Sequence, residues 1–433
     1  MRIYDIIEKK KRGMALTEQE IRFFANGAAS GEIPDYQTAA LLMAICLRGM
    51  NEEETFFLTA AIAESGDRID LSAFGEHTAD KHSSGGVGDK TTLILAPIAA
   101  SCGVIMAKMS GRGLGHTGGT VDKLESIEGY RTTLSPEEFY STVKKNGIAV
   151  IGQSGNLAPA DKKLYALRDV TSTVDSITLI ASSIMGKKLA AGAKTIVLDV
   201  KYGSGSFMKT PEQATALAEI MVKIGKKYGR RVAALITNMD VPLGNAVGNA
   251  LEVKEAIEIL RGHGCPALRA LCLALAKTIV QLSLEVSEEE AERRVAEALD
   301  SGAAFDTLCR WIGGQGGDTA VLHHPEKLPT APISIEVTAD RAGYISSMDA
   351  QRVGEASLLL GAGRQTKEDS IDMGAGIILH KKTGDPVALG EPIATLYASD
   401  AARLEKAKDC FLTAITYAEE APKMQPLIYK TVF

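Results

Sequence analysis

Three times between residues 104 and 240 the chain repeats one pattern: a short apolar run, a glycine-rich or polar turn, then a helix-forming segment. The apolar runs are residues 104–107, 195–200 and 231–236, and the turns after them read SGRGLGHTGGT, KYGSGSF and TNMD. Runs this short, separated by helical stretches, bury both faces by pairing as a parallel sheet covered with helices. The expected fold class is therefore α/β, and 433 residues leave room for further domains beside it.

The first 65 residues lack this alternation. Thr17 and Glu20 form a capping box ahead of an apolar-periodic run. Asp35 opens a helix with Ala39, Leu42, Met43 and Cys46 on one face that stops at Gly49, and Asn51 caps the next. Helical character returns near residues 161–193 through Leu164, Leu167, Ile177, Ile180, Ile184 and Leu189. The pattern predicts a discontinuous helical domain over 1–65 and 163–193, and an α/β domain over 66–162 and 194–332. Pro325, Pro329 and Pro332 mark a linker. Strand-like segments with Gly-Asp and Gly-Glu turns then predict a smaller α+β domain over 336–433.

Lys and Arg total 48 against 54 Asp and Glu, a formal charge of −6, which excludes a broad nucleic-acid surface. The longest charge-free stretch, residues 91–107, is too short for a bilayer and contains Pro97, so no membrane association is expected. The first residues mix both charge signs without an apolar core, so no secretory leader is expected. Six cysteines without metal or CxxC spacing predict reduced thiols and a cytoplasmic protein. His323 and His324 lack ligand partners at metal spacing and receive no role.

Two glycine-rich loops, residues 80–89 and 110–120, each combine hydroxyls, main-chain N–H groups and a cation, a combination suited to phosphate. The first is not a Walker loop, because Ser84 and Asp89 stand where Lys90-Thr91 would require glycines. The second satisfies GxGxxG through Gly113, Gly115 and Gly118, but the acidic residue downstream, Glu138, is better used capping a helix with Ser135. His82 stands between Lys81 and Ser83. Ser183 and Lys187 share one side of an Ala-rich helix, and with Arg168 they form a cationic set that needs partners if buried.

At these residues the sequence resembles the thymidine and pyrimidine-nucleoside phosphorylases over essentially its whole length. The match is carried by SGRGLGHTGGTVDKLE (110–125), DKHSSGGVGD (80–89), PADKKLYALRDVT (159–171), IASSIMGKK (180–188) and GNALEVKEA (248–256). The resemblance implies a homodimer joined through the helical domain, which faces a mixed α/β domain across a cleft, with a barrel-sandwich-like C-terminal domain. It implies phosphorolysis of uridine, thymidine and deoxyuridine in nucleoside salvage. Lys108 before Met109-Ser110 is more like the broad pyrimidine enzymes than the strict thymidine ones.

By the same resemblance, Lys81, Ser83, Thr92, Lys108, Met109, Ser110 and Thr120 bind phosphate. His82, Arg168 and Lys187 act in catalysis, and together with Ser183 they hold the base. No organic cofactor is implied, and inorganic phosphate is the co-substrate. One K⁺ per subunit is implied on Gly88, position 90, Leu243, Ala246 and Glu255. Family members of this type carry a hydroxyl residue where Lys90 stands; its ammonium would replace or repel the ion, while a backbone carbonyl at 90 could still serve. The C-terminal segments resemble biotinyl carriers but lack a modifiable Met-Lys-Met hairpin, so a structural role is expected.

Overall fold

The computed structural model describes the chain except residues 114, 116–117, 154–155 and 365–368, so Leu114, His116 and Thr117 of the second loop lie outside the described residues. Four helices come first: α1 (Ile3–Lys11), α2 (Glu18–Ser30), α3 (Asp35–Arg48) and α4 (Glu52–Ala63). Capping boxes start α2 and α4. Thr17 accepts the Glu20 N–H while Glu20 accepts the Thr17 N–H, and Asn51 and Glu54 repeat the exchange. Each cap contributes about 1 kcal/mol. Ile6, Ile21, Phe24, Leu41, Leu42, Ile45 and Leu58 meet in the core of this bundle.

The chain then enters the sheet layer through β1 (Thr78–Ser83), α5 (Thr91–Ser101), β2 (Ile105–Ser110), α6 (Thr120–Glu125), α7 (Pro136–Asn146) and β3 (Ile148–Gly152). It returns to the bundle as α8 (Pro159–Val170), packed on α2 and α3, and α9 (Ile177–Ala190), packed on α4. This return starts at Pro159 rather than at 163. Proline fits the first helical position, where no N–H is needed, and so sets the earlier start. Gly186 brings α9 close to α4: a Cβ there would lie 2.4 Å from Ile62 Cγ2.

The second half of the layer is β4 (Thr195–Tyr202), α10 (Pro211–Lys227), β5 (Arg231–Asn238), β6 (Ala246–Gly248), α11 (Asn249–Leu260) and α12 (Pro266–Leu284). Helix α12 is long and apolar enough to cross a membrane, but its Leu268, Leu271, Cys272, Leu275 and Ile279 are buried in the α/β core. The remaining strands are β7 (Ile333–Thr338), β8 (Gly343–Met348), β9 (Gly376–Leu379), β10 (Pro386–Val387), β11 (Pro392–Ala398), β12 (Ile415–Ala418) and β13 (Ile428–Val432).

The main sheet runs β13-β5-β4-β1-β2-β3, with β1 to β5 parallel and β13 antiparallel on β5. Two boundaries therefore differ from expectation. The last strand does not belong to a separate 336–433 unit; it completes the sheet edge beside β5. Conversely, β6 pairs with β9 and so joins the small antiparallel sheet β6-β9-β11-β7, next to a second one, β10-β8-β12.

Candidate active site

Strand β1 lies where the sheet order reverses, with β2 on one side and β4 on the other. At such a reversal the carboxyl ends of parallel strands open into the crevice where α/β proteins bind ligands. The last residues of β1 are Asp80, Lys81, His82 and Ser83, and alternation along the strand sends Asp80 and His82 to one face and Lys81 and Ser83 to the other.

Each face carries its own charge cluster. On the first, the buried Asp80 carboxylate accepts from Lys108 Nζ on β2 at 3.2 Å and from Lys188 Nζ on α9 at 2.6 Å. Burial opposes ionisation of Asp80, yet these two ammonium groups outweigh it and hold the carboxyl below its usual range. Lys108 also donates to the Lys81 carbonyl, and Lys188 to the Met109 carbonyl at 3.4 Å. Burial lowers the Lys108 ammonium to about 8, with Asp80 opposing the shift and Lys188 and Lys81 adding to it. His82 is pushed well below the ordinary imidazole value, first by desolvation and then by Lys188, Lys108, Lys187 and Lys81. It is therefore neutral at pH 7.

On the opposite face, the buried Lys81 Nζ donates to Thr91 Oγ1 at 2.6 Å and lies 3.3 Å from Asp199 and 3.7 Å from Asp89. Asp199 also pairs with Lys201 at 2.9 Å and accepts from Thr237 at 2.6 Å. Asp89 accepts from Thr91 and from Ser83; burial resists its charge, but Lys81 and Lys201 hold it well below the ordinary value. Ser83 accepts the Gly85 N–H, and Ser84 ties the loop to β4 by donating its N–H to the Asp199 carbonyl and accepting the Lys201 N–H. Thr92 is buried in the first turn of α5. Ser110 ends β2 and Thr120 opens α6, so these two flank the second loop.

The helical side supplies the remaining residues. Arg168, buried in α8, donates to the carbonyls of Thr173, Val174 and Leu179, which anchors it beside the start of α9. Lys187 donates to Asp161 at 2.7 Å and to Ser183 at 3.2 Å, and the Tyr165 ring lies against both Lys187 and Arg168. The structure thus places Lys81, Lys108 and Lys187 within electrostatic reach of His82, with Arg168 and Ser183 on the helices α8 and α9.

The five residues expected to hold a potassium ion do not fit an added ion. Lys90 Nζ itself lies between their oxygens, 3.0 Å from the Leu243 carbonyl, 2.7 Å from the Ala246 carbonyl and 2.5 Å from Glu255 Oε2. Gly88 makes room for this convergence: its φ is +73°, and a Cβ would lie 2.4 Å from the Leu243 oxygen.

Several residues of the site escape a reading of the sequence. Asp161 and Asp199 hold Lys187 and Lys81 in place, while Lys188 and Lys201 share the carboxylates of Asp80 and Asp199 with Lys108 and Lys81. Asp199 and Lys201 interrupt an apolar strand, where a charge requires a partner. In the second loop, by contrast, Arg112 is bound to Asp122 at 3.1 Å and to Glu125 at 2.5 Å. Its charge is matched within the protein.

Comparison with known proteins bears on the same elements. Residues 4–66 match the glycosyl transferase family helical bundle domain, residues 75–305 the glycosyl transferase family a/b domain, and residues 344–418 the pyrimidine nucleoside phosphorylase C-terminal domain. Over 400 residues, 92% of each chain, the sequence is 56% identical to the pyrimidine-nucleoside phosphorylase of Geobacillus stearothermophilus and 55% identical to that of Staphylococcus haemolyticus. The fold is similar to that of anthranilate phosphoribosyltransferase from Thermus thermophilus, with a TM-score of 0.57 and 20% identity over 71% of this chain and 98% of that one.

Proposed function

Because the chain belongs to the pyrimidine-nucleoside phosphorylase family, we propose that it catalyses reversible phosphorolysis of uridine, thymidine and deoxyuridine to the free base and (deoxy)ribose 1-phosphate, in nucleoside salvage and catabolism. An oxygen of inorganic phosphate bonds to C1′ as the bond from C1′ to the ring nitrogen breaks, and the electron pair leaves on the base. The observation that carries this reading is the charged end of β1: Lys108 and Lys188 share the Asp80 carboxylate on the face that carries the neutral His82, Lys187 lies next on α9, and Lys81 lies on the opposite face.

In this reading Lys81, Ser83, Thr92, Lys108, Met109, Ser110 and Thr120 hold phosphate, and catalysis on that side consists of positioning an anion next to the sugar. Arg168, Lys187 and His82 donate to the ring carbonyls as negative charge grows there. Interactions that strengthen in the transition state raise kcat. Ser183 faces the ring N–H. Donors at both carbonyls suit uracil and thymine and leave cytosine, with its exocyclic amine, mismatched.

A homodimer joined through the bundle is part of the proposal. It is supported by large apolar side chains exposed on bundle helices, Tyr4, Tyr36, Leu47 and Val170. Six free thiols, with Cys265 and Cys272 buried, support a reducing cytoplasmic setting. Incubating uridine or thymidine with the protein, with and without inorganic phosphate, tests the function. Pentose 1-phosphate and free base are expected only when phosphate is present; base release at the same rate without phosphate refutes it.

A further inference from the structure

We propose that Lys90 is a built-in monovalent cation: its ammonium replaces a dissociable ion in organising the loop after β1, so that loop needs no potassium. Lys90 directly precedes α5, and its side chain is fully buried. An ammonium has three N–H donors and no acceptor. Here three oxygens meet it, two carbonyls and one carboxylate, at 2.5 to 3.0 Å. Such a donor set, rich in oxygens and carrying a single negative charge, is also what a bare monovalent cation of similar size would take.

The clamp joins parts of the chain that are distant in sequence. Lys90 belongs to the loop that begins at Ser84, whereas Leu243 and Ala246 flank a turn and Glu255 lies on α11. The Leu243 N–H donates to the Val87 carbonyl, which draws the same two segments together. Glu255 also accepts the N–H groups of Asn245 and Ala246 at 2.6 and 2.9 Å, so its carboxylate is oriented before it meets the lysine. A second cation, Lys382 from the C-terminal region, donates to the Gly244 carbonyl at 2.8 Å. With Lys90 on Glu255 and Lys382 on the neighbouring Gly244 carbonyl, an added potassium ion would meet like charge and find its oxygens already occupied. A tethered ammonium cannot dissociate, so the order of the loop becomes independent of the surrounding salt.

The inference deepens the phosphorolysis reading, but its thermal test does not rest on it. Thermal stability and uridine phosphorolysis are measured in about 0.1 M potassium chloride and in the same concentration of N-methylglucamine chloride, whose cation is too large to enter, so that screening is constant. The wild-type protein is expected to change by less than about twofold in rate and about 1 °C in Tm between the two salts. Lys90→Ser, which opens the site to an ion, is expected to lose about tenfold in rate and several degrees in N-methylglucamine and to recover both in potassium, as a ligand binding the folded state requires. Lys90→Met, which keeps the length without the charge, is expected to stay impaired in both salts.

A saturable rise of wild-type Tm with potassium overturns the proposal, as does a Lys90→Met protein with wild-type rate and Tm in N-methylglucamine. If the wild-type protein shows no phosphate-dependent turnover at all, the function is refuted, while the Tm comparison still reports on Lys90.

Discussion

The loop after β1 and the loop after β2 share glycines, hydroxyls and a cation, yet their cations sit in different company. Around the end of β1 four buried cations, Lys81, Lys201, Lys108 and Lys188, face three carboxylates, Asp89, Asp199 and Asp80, so this strand end keeps an excess of positive charge. Arg112 is half exposed and paired with two carboxylates, Asp122 and Glu125. Arg364, from beyond the sheet layer, adds to Asp122, and beneath the loop Lys123 lies 3.4 Å from Glu252. Glycine content marks where main chain can approach a ligand. Which loop retains positive charge for an anion is decided by its carboxylate neighbours, and these come from distant parts of the chain.

Exchanging the carboxylate beneath each loop strains this contrast most. Asp80→Asn leaves Lys108 and Lys188 buried without their shared counter-charge and is expected to cost about 3–5 kcal/mol in denaturant unfolding. Asp122→Asn should cost less, because Arg112 and Arg364 can turn to water. Lys81→Ala is expected to lower kcat for phosphorolysis by about 10²–10³, against about threefold or less for Arg112→Ala. Equal losses in steady-state kinetics would mean that the second loop shares the phosphate.

The pH dependence sharpens the contrast further. Lys108 titrates at about 8, so its positive charge fades between pH 7 and 9. The KM for phosphate is expected to rise by about tenfold over that range, and Lys108→Met should make it high and flat. Because the folded value lies below the ordinary 10.5, the unfolded chain binds more protons between about 8 and 10.5, and the contribution of this group to stability grows with pH across that window. His82 follows the same sign at lower pH: its contribution falls as pH drops below 6.5, where the unfolded imidazole takes a proton first. The smallest effect belongs to Ser135→Ala, which removes the capping box of α7 and touches neither loop cation. It should cost about 1 kcal/mol in thermal unfolding and leave the rate unchanged.

Much of this architecture is legible from local chemistry. The capping boxes at Thr17, Asn51 and Ser135 are read directly from residue type and spacing. Strand β1 is not, because TADKHS contains no apolar run; ion pairs from three other elements, β2, β4 and α9, help keep it at the centre of the sheet. Strand β13 looks like its C-terminal neighbours in composition, and only its pairing with β5 assigns it to the main sheet. At the site, motif residues such as Lys81 and Lys187 stand out, while the acids that place them do not. Asp161 lies 26 positions from Lys187, and Asp80 lies 108 from Lys188. Separations of that length are set by topology, which local periodicity does not report. The sequence poses the role of Lys90 as a choice between replacing and repelling an ion, and the convergence of Leu243, Ala246 and Glu255 on its ammonium is the observation on which the proposed replacement rests.

The most direct test is calorimetric titration of inorganic phosphate into the wild-type protein, Lys81→Ala and Arg112→Ala. Binding should be retained with Arg112→Ala and lost with Lys81→Ala, even though both proteins remain folded by circular dichroism. Phosphate bound normally by Lys81→Ala but not by Arg112→Ala would move the anion to the second loop and contradict the account.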